Sequence, residues 1–145
     1  MIFTNIYYNV YISIDEILDR YSHELKPEIS LNKLNLGDHQ TKLPSLKHKW
    51  AGRYINHKRN LIKLKVQKKS LYTDLIEEYI ENSPVKININ IAEKAVHNNP
   101  SILKINNKIE EEELILEYLD KIQNIVNNIQ WDIKNLIELE KLEMQ

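Results

Sequence analysis

Residues 44–82 read PSLKHKWAGRYINHKRNLIKLKVQKKSLYTDLIEEYIEN, and this stretch decides the fold. It opens with Pro44 and Ser45, and proline is tolerated in the first turn of a helix. Side chains then recur at alternating spacings of four and three, which draws one mostly apolar seam along a helix. The seam comprises Leu46, Trp50, Tyr54, His57, Leu61, Leu64, Lys68, Leu71 and Leu75. We therefore predict a long helix over residues 44–82.

The same stretch is strongly basic. Residues 39–73 contain no Asp or Glu but hold ten of the 20 Lys and Arg residues of the chain. At about 100° per residue, Lys58, Lys65 and Lys69 line up, and Arg59 and Lys63 extend their surface on the side away from the seam. Such a face can neutralise the phosphates of a nucleic acid.

Aromatic side chains lie close to these cations in the sequence, and they offer surfaces on which unpaired bases stack. They are Trp50, Tyr54, Tyr72 and Tyr79. The alternative is a solvated, lysine-rich face whose aromatic residues all belong to the core. The residues alone leave both interpretations open.

The C-terminal half has the opposite charge, with 15 acidic and 7 basic residues between positions 70 and 145. Asn99 and Pro100 indicate a helix start, and the helical pattern continues unbroken to about Leu142. A helix over 100–142 would be about 60 Å long, whereas a compact domain of this size measures about 40 Å. Either the helix is broken, or its apolar stripe packs against neighbouring subunits. We favour the second, with oligomer contacts from Ile115, Tyr118, Leu119, Ile122, Ile125, Ile129, Trp131, Ile133 and Leu136.

The remaining elements are short. Residues 1–12 are rich in Tyr, Ile and Val and predict an N-terminal arm, either a strand or an extended segment. Residues 13–26 predict a first helix, capped by Ser13 and Glu16 and ended by Pro27. Residues 27–43 read as an ordered loop anchored by three leucines, and residues 85–91 alternate like a short strand. The leucines are Leu31, Leu34 and Leu36. The predicted fold is a single, mainly α domain over residues 1–145, with a small β element if the strand pairs with the arm.

Composition excludes several kinds of site. With only Gly37 and Gly52, the chain has no glycine-rich loop for a phosphate or dinucleotide. Its five histidines have no metal-binding spacing, and it has no cysteine. We therefore predict no catalysis, no metal and no cofactor. No apolar run reaches the roughly 20 residues of a membrane helix, and a reducing intracellular compartment is expected.

Three segments in this order resemble UvsY-like proteins, the recombination mediators of T-even-like tailed phages. Residues 14–18 read IDEIL and residues 36–50 read LGDHQTKLPSLKHKW, where the family shows a short helix, a loop and an I/L-P-x-L-x-x-K-aromatic helix opening. Near the C-terminus, NNPSILKINNKI leads to IQWDIKNLIELEKL, with an aromatic residue shortly before an Ile-Lys pair. The resemblance covers residues 14–142.

The resemblance implies a non-catalytic protein of the host cytoplasm that binds single-stranded DNA. It also implies a ring of six or seven subunits and contacts with a RecA-like recombinase and a single-strand-binding protein. One departure concerns residues 73–76, where the family can show a Lys-Ala-Arg-Leu segment and this chain has no basic residue. DNA binding is therefore assigned to earlier cations, with two weaker candidates. The main set is Lys58, Arg59, Lys63, Lys65, Lys68 and Lys69, and the weaker pair is Lys49 and Arg53.

Two other functions stay open at this point. A coiled-coil structural or assembly protein of a virion would pair the basic helix with the acidic residues 110–117 of a neighbouring subunit and ignore DNA. An accessory subunit of a nucleic-acid enzyme would be stable only in its complex. The run Glu110–Glu113 is either a solvated helix face or a contact for a basic surface.

Overall fold

The computed structural model describes residues 13–145, and this part of the chain is helical apart from short connections. Its four helices are α1 (Ile14–Ile29), α2 (Leu36–Glu81), α3 (Ile89–His97) and α4 (Pro100–Glu143). The predicted mainly α fold is confirmed. The predicted N-terminal arm, residues 1–12, lies outside the described residues.

Two long antiparallel helices form the frame of the molecule. Lys33, just before α2, binds Glu143 at the end of α4, and Leu61 in the middle of α2 packs against Ile109 near the start of α4. With 46 and 44 residues, α2 and α4 are each about 66–69 Å long at 1.5 Å per residue. The two helices therefore cover each other over most of their length. The expectation that one chain cannot cover the α4 stripe is wrong.

The two short helices complete the bundle at different levels. α1 packs beside α2 and α4, where Ile17, Leu18 and Leu25 join a core that includes Trp50 of α2. α3 packs against the other end of the long pair. The seam prediction is confirmed at its centre, because Trp50 and Leu61 are 0% and 8% exposed.

Of the three prolines expected to mark helix boundaries, Pro100 begins α4 as predicted, but Pro27 and Pro44 lie inside helices. α1 continues past Pro27 to Ile29, and α2 begins at Leu36 rather than at Pro44. A proline inside a helix costs about 3 kcal/mol. Burial of Leu36 and Leu43, each 6% exposed, contributes about 1.5–3 kcal/mol per side chain and offsets that cost.

The predicted loop over residues 27–43 is therefore mostly helix, and only two of its three leucine anchors hold. Leu36 is buried and Leu31 packs against the core, but Leu34 is 99% exposed. Leu34 lies in the turn between α1 and α2, where its amide donates to Asn32 Oδ1 at 2.9 Å. The conformation of this turn directs the Leu34 side chain away from the bundle.

The predicted strand over residues 85–91 is wrong, since the region is a connection followed by α3. Asn88 caps the helix, and its Oδ1 accepts a hydrogen bond from the Ile91 amide at 3.0 Å. Ala92 and Val96 are four residues apart, both are buried, and a helix puts both on one face. The alternation of Ile87, Ile89 and Ile91 mimicked a strand, but no strand exists between residues 13 and 145 to pair with it.

Candidate nucleic-acid interface

The basic face of α2 lies opposite the buried seam. Five of its six main candidate cations are exposed, and Lys68 is half-buried. Of the six, only Lys65 has a carboxylate within reach in the described part of the chain, with its Nζ 4.0 Å from Glu113 Oε1. This basic face comprises Lys58, Arg59, Lys63, Lys65, Lys68 and Lys69. Mostly exposed ammonium and guanidinium groups with few carboxylates nearby give a positive field suited to a polyanion.

The basic face divides into two flanks. Lys65, Lys68 and Lys69 border a groove formed with α3 and α4. Lys63 borders a different depression, beside α1 and residues 108–115 of α4. The cations predicted to form one surface therefore point to both sides of an exposed helix ridge.

The two weaker candidates, Lys49 and Arg53, face α1 instead of solvent. Lys49 Nζ binds both Glu24 and Glu28, and Arg53 Nη2 donates to Glu24 Oε1 at 2.9 Å. Arg53 Nη1 also lies 2.8 Å from Glu24 Oε2. The Arg53 guanidinium sits over the rings of Trp50 and Tyr21, 4.7 and 5.0 Å from their centroids. These two cations hold α1 onto α2, so phosphate contact would require breaking that cluster.

The ion-pair cluster makes stability depend on pH. Hydrogen bonding to Arg53 holds the pKa of Glu24 at about 2, below its ordinary 4.5. A lowered pKa means that the carboxylate stabilises the fold above about pH 4.5 and loses this contribution as the pH falls towards 2.

We expect Glu24→Gln to lower the free energy of unfolding at neutral pH by about 1 kcal/mol, since the side chain is a third exposed. The variant should also lose less stability than the wild type between about pH 5 and 2.5. Urea denaturation at a series of pH values measures both effects. Replacement of the exposed Glu110 with glutamine is the control and should keep the acid dependence of the wild type. If Glu24→Gln loses as much stability between about pH 5 and 2.5 as the wild type does, the ion pair of Glu24 with Arg53 does not stabilise the fold.

The four candidate stacking residues differ in accessibility. Trp50 is fully buried and cannot stack on a base, so that candidate is wrong. Tyr54 is half-buried with Lys58 Nζ 5.8 Å from its ring centroid, Tyr72 is half-buried beside the groove, and Tyr79 is 40% exposed. Only the tyrosines offer ring surface.

A polar chain that crosses the bundle was not foreseen from the sequence. Tyr21 Oη lies 2.9 Å from His57 Nε2, and His57 Nδ1 lies 2.7 Å from Glu112 Oε2. The side chains of His57 and Glu112 are only 12% and 17% exposed, and burial raises the pKa of Tyr21. A histidine in the apolar seam was the one signal in the sequence. These hydrogen bonds join α1, α2 and α4, so Glu112 contacts His57 within the fold and is not simply a solvated residue.

Most of the residues predicted to make oligomer contacts lie inside the chain's own bundle. Ile115, Leu119, Ile122, Ile129 and Ile133 are 0–2% exposed, and Tyr118 and Leu136 pack against the same core. Ile125 and Trp131 are 42% and 62% exposed, and they remain available for contact with a second copy. The oligomer itself stays a prediction.

Two further properties bear on the class of protein. No helix within residues 13–145 is long and apolar enough to span a membrane. In the same residues, no group of three or more His, Asp or Glu side chains converges in a way that could hold a metal ion.

The described residues define a mainly helical bundle framed by two long antiparallel helices, one of which carries the basic face. The family model described as "Recombination, repair and ssDNA binding protein UvsY" matches residues 24–144. The chain therefore belongs to the UvsY family. No significant match occurs among curated proteins.

Solved structures share the fold. A crystal structure of the bacteriophage T4 recombination mediator protein UvsY superposes with a TM-score of 0.75 at 15% sequence identity, covering 88% of this chain and 98% of that one. A second crystal form of the same T4 protein gives a TM-score of 0.74 at 15% identity, over 87% and 98% of the two chains. At this identity the likeness is one of fold.

Proposed function

We propose that this protein is a non-catalytic recombination mediator that binds single-stranded DNA along the basic face of α2. The observation that carries the proposal is the face itself, in which five of six cations have no carboxylate partner within residues 13–145. Membership of a family described as recombination, repair and ssDNA binding supports it. So does the shared fold with the T4 recombination mediator.

In this proposal, the protein holds a single strand so that a RecA-like recombinase can replace a single-strand-binding protein on it. Phosphate neutralisation by lysine and arginine is independent of base sequence, as a mediator that acts anywhere on a genome requires. The acidic outer surface of α4, with Glu110 and Glu111 exposed, is available to protein partners. The work is done in the cytoplasm of an infected host cell.

Assembly into a ring of six or seven copies is part of the proposal. Repetition of a weak phosphate-binding face around a ring raises its overall affinity without any new type of contact. Ile125 and Trp131 supply exposed apolar surface on α4 for contact between copies. The stripe residues buried in the bundle take no part in that contact.

The test is the loading step. On single-stranded DNA covered by single-strand-binding protein, a RecA-like recombinase hydrolyses ATP only after a lag, and we expect this protein to shorten the lag. The protein alone should hydrolyse no ATP. Neutralising Lys58 and Lys69 should restore the lag, whereas neutralising the exposed Lys26 and Lys121 on other helices should not. Tight DNA binding with an unchanged lag would leave a DNA-binding protein that is not a mediator.

A further inference from the structure

A groove with an open volume of about 850 Å³ lies where α2, α3 and the start of α4 meet, directly beyond the basic face. Its volume is within the range of sites that bind small ring-shaped ligands. Lys65 and Lys69 stand on its α2 wall and Tyr72 continues the same helix. Lys58, Lys65 and Tyr72 are spaced by seven residues, so they follow one line along α2 into the groove.

The floor of the groove is apolar, and the ring of Tyr72 beside it is held in place. Ile102 and Ile109 are 1% and 9% exposed, and both line the groove. The Tyr72 hydroxyl donates to the Glu93 carbonyl oxygen at 3.2 Å, which ties the ring to α3. A half-buried ring fixed at its far end presents a stacking surface with little loss of side-chain entropy on binding.

The charge distribution distinguishes a base from a phosphate as the occupant. The α2 wall carries Lys65, Lys68 and Lys69, whereas Glu93 of α3 and Glu113 of α4 line the other sides, with Glu113 Oε1 4.0 Å from Lys65 Nζ. A phosphate inside the groove would face those carboxylates, whereas a neutral base would not, and its phosphate would stay on the lysines at the rim. Asn106, half-buried on α4, offers an amide donor and acceptor that make no hydrogen bond within residues 13–145.

We propose that this groove receives unpaired bases of a single strand whose phosphates lie on Lys58, Lys65 and Lys69, with a base stacked on Tyr72 and its edge at Asn106. The inference rests on the proposed single-stranded DNA binding and goes further, because it gives the bases, and not only the backbone, a place on the protein. It accounts for a preference for single strands, since the bases of a duplex are already stacked and paired.

The experiment compares two oligonucleotides of equal length by fluorescence polarisation, one of thymidines and one of abasic units with the same phosphates. The full-length wild-type protein should bind the thymidine strand at least about five-fold more tightly, the lower end expected for one stacked base. Tyr72→Leu should bring this ratio close to one while leaving the salt dependence unchanged. Asn106→Ala removes the amide proposed to bond the base edge but keeps the ring, and should lower the ratio at least about two-fold without bringing it to one.

Two matched variants separate stacking from structure. Tyr79, the exposed stacking candidate, lies seven positions further along α2 and outside the groove, so a ratio that falls in Tyr79→Leu but not in Tyr72→Leu places the base elsewhere and overturns the groove proposal. Tyr72→Phe removes the hydrogen bond to Glu93 but keeps the ring, and should keep the wild-type ratio. Equal affinity of the wild type for both strands, or a ratio unchanged in both Tyr72→Leu and Asn106→Ala, overturns the groove proposal alone. Failure to bind either strand at low salt overturns the proposed function instead.

Discussion

Replacement of Trp50 with alanine is expected to lower the free energy of unfolding by about 3–5 kcal/mol. Trp50 is fully buried where α1, α2 and α4 meet, with the Tyr21 ring edge-on at 5.7 Å. Its Nε1 donates to Glu28 Oε2 at 2.8 Å, so truncation leaves a cavity and also removes a donor from a half-buried carboxylate. Urea denaturation followed by far-UV circular dichroism measures the loss.

The second tryptophan is a built-in control. Trp131 is 62% exposed and its ring contacts Lys134, whose Nζ lies 5.3 Å from the centroid. Trp131→Ala should therefore cost less than about 1 kcal/mol. Measurements at two protein concentrations are informative, because a contact between copies makes the loss at Trp131 concentration-dependent, while the loss at Trp50 stays constant. Equal, concentration-independent losses at both positions would be incompatible with this core.

The contrast between the two tryptophans illustrates what sequence periodicity can and cannot predict. Trp50 sits at a seam position of a strongly periodic helix, and its burial follows from the pattern. The α4 stripe was predicted with equal clarity, but its partner was wrong, because the expectation assumed a compact domain about 40 Å across. The described bundle is elongated instead, and α2, with 46 residues, covers the 44-residue α4 within one chain.

Local signals failed where tertiary contacts outweighed them. Pro27 and Pro44 are helix-breaking residues whose cost is offset by the buried side chains around them. The alternation of Ile87, Ile89 and Ile91 predicted a strand, yet the cap at Asn88 and the burial of Val96 select a helix. The sequence of one segment does not reveal which contacts with other segments will outweigh its local preference.

The candidate site could be predicted only in outline, because part of it depends on contacts between helices. The absence of acidic residues from positions 39–73 is a property of the sequence, so the basic face of α2 could be found from it. The capture of Lys49 and Arg53 by Glu24 and Glu28 depends on where α1 packs. The groove at Tyr72 needs α3 and α4 to be placed beside α2, which no pattern within α2 contains.

The largest expected effect on function comes from the basic face. Replacing Lys58 and Lys69 together with glutamine should reduce the slope of log affinity against log salt by about 1.4, since each phosphate neutralised on a single strand contributes about 0.7. At physiological salt the same relation predicts about ten-fold weaker binding. Both side chains are exposed and have no carboxylate partner within residues 13–145, and the contact of Lys58 with the Tyr54 ring is a surface one, so the fold should be little affected. Fluorescence polarisation with a single-stranded oligonucleotide, titrated across a range of salt concentrations, measures both quantities.

A matched double variant distinguishes the position of the two lysines from the net charge of the protein. The double variant Lys26→Gln and Lys121→Gln also removes two positive charges, but from α1 and α4. Lys121 Nζ lies 3.5 Å from Glu117 Oε1. That variant should keep the wild-type salt slope. If both pairs reduce the slope equally, binding depends on the overall field of the protein and α2 is not its DNA-binding surface. If only the Lys58 and Lys69 pair does, and to the same degree for strands of different base sequence, the face contacts phosphates as proposed.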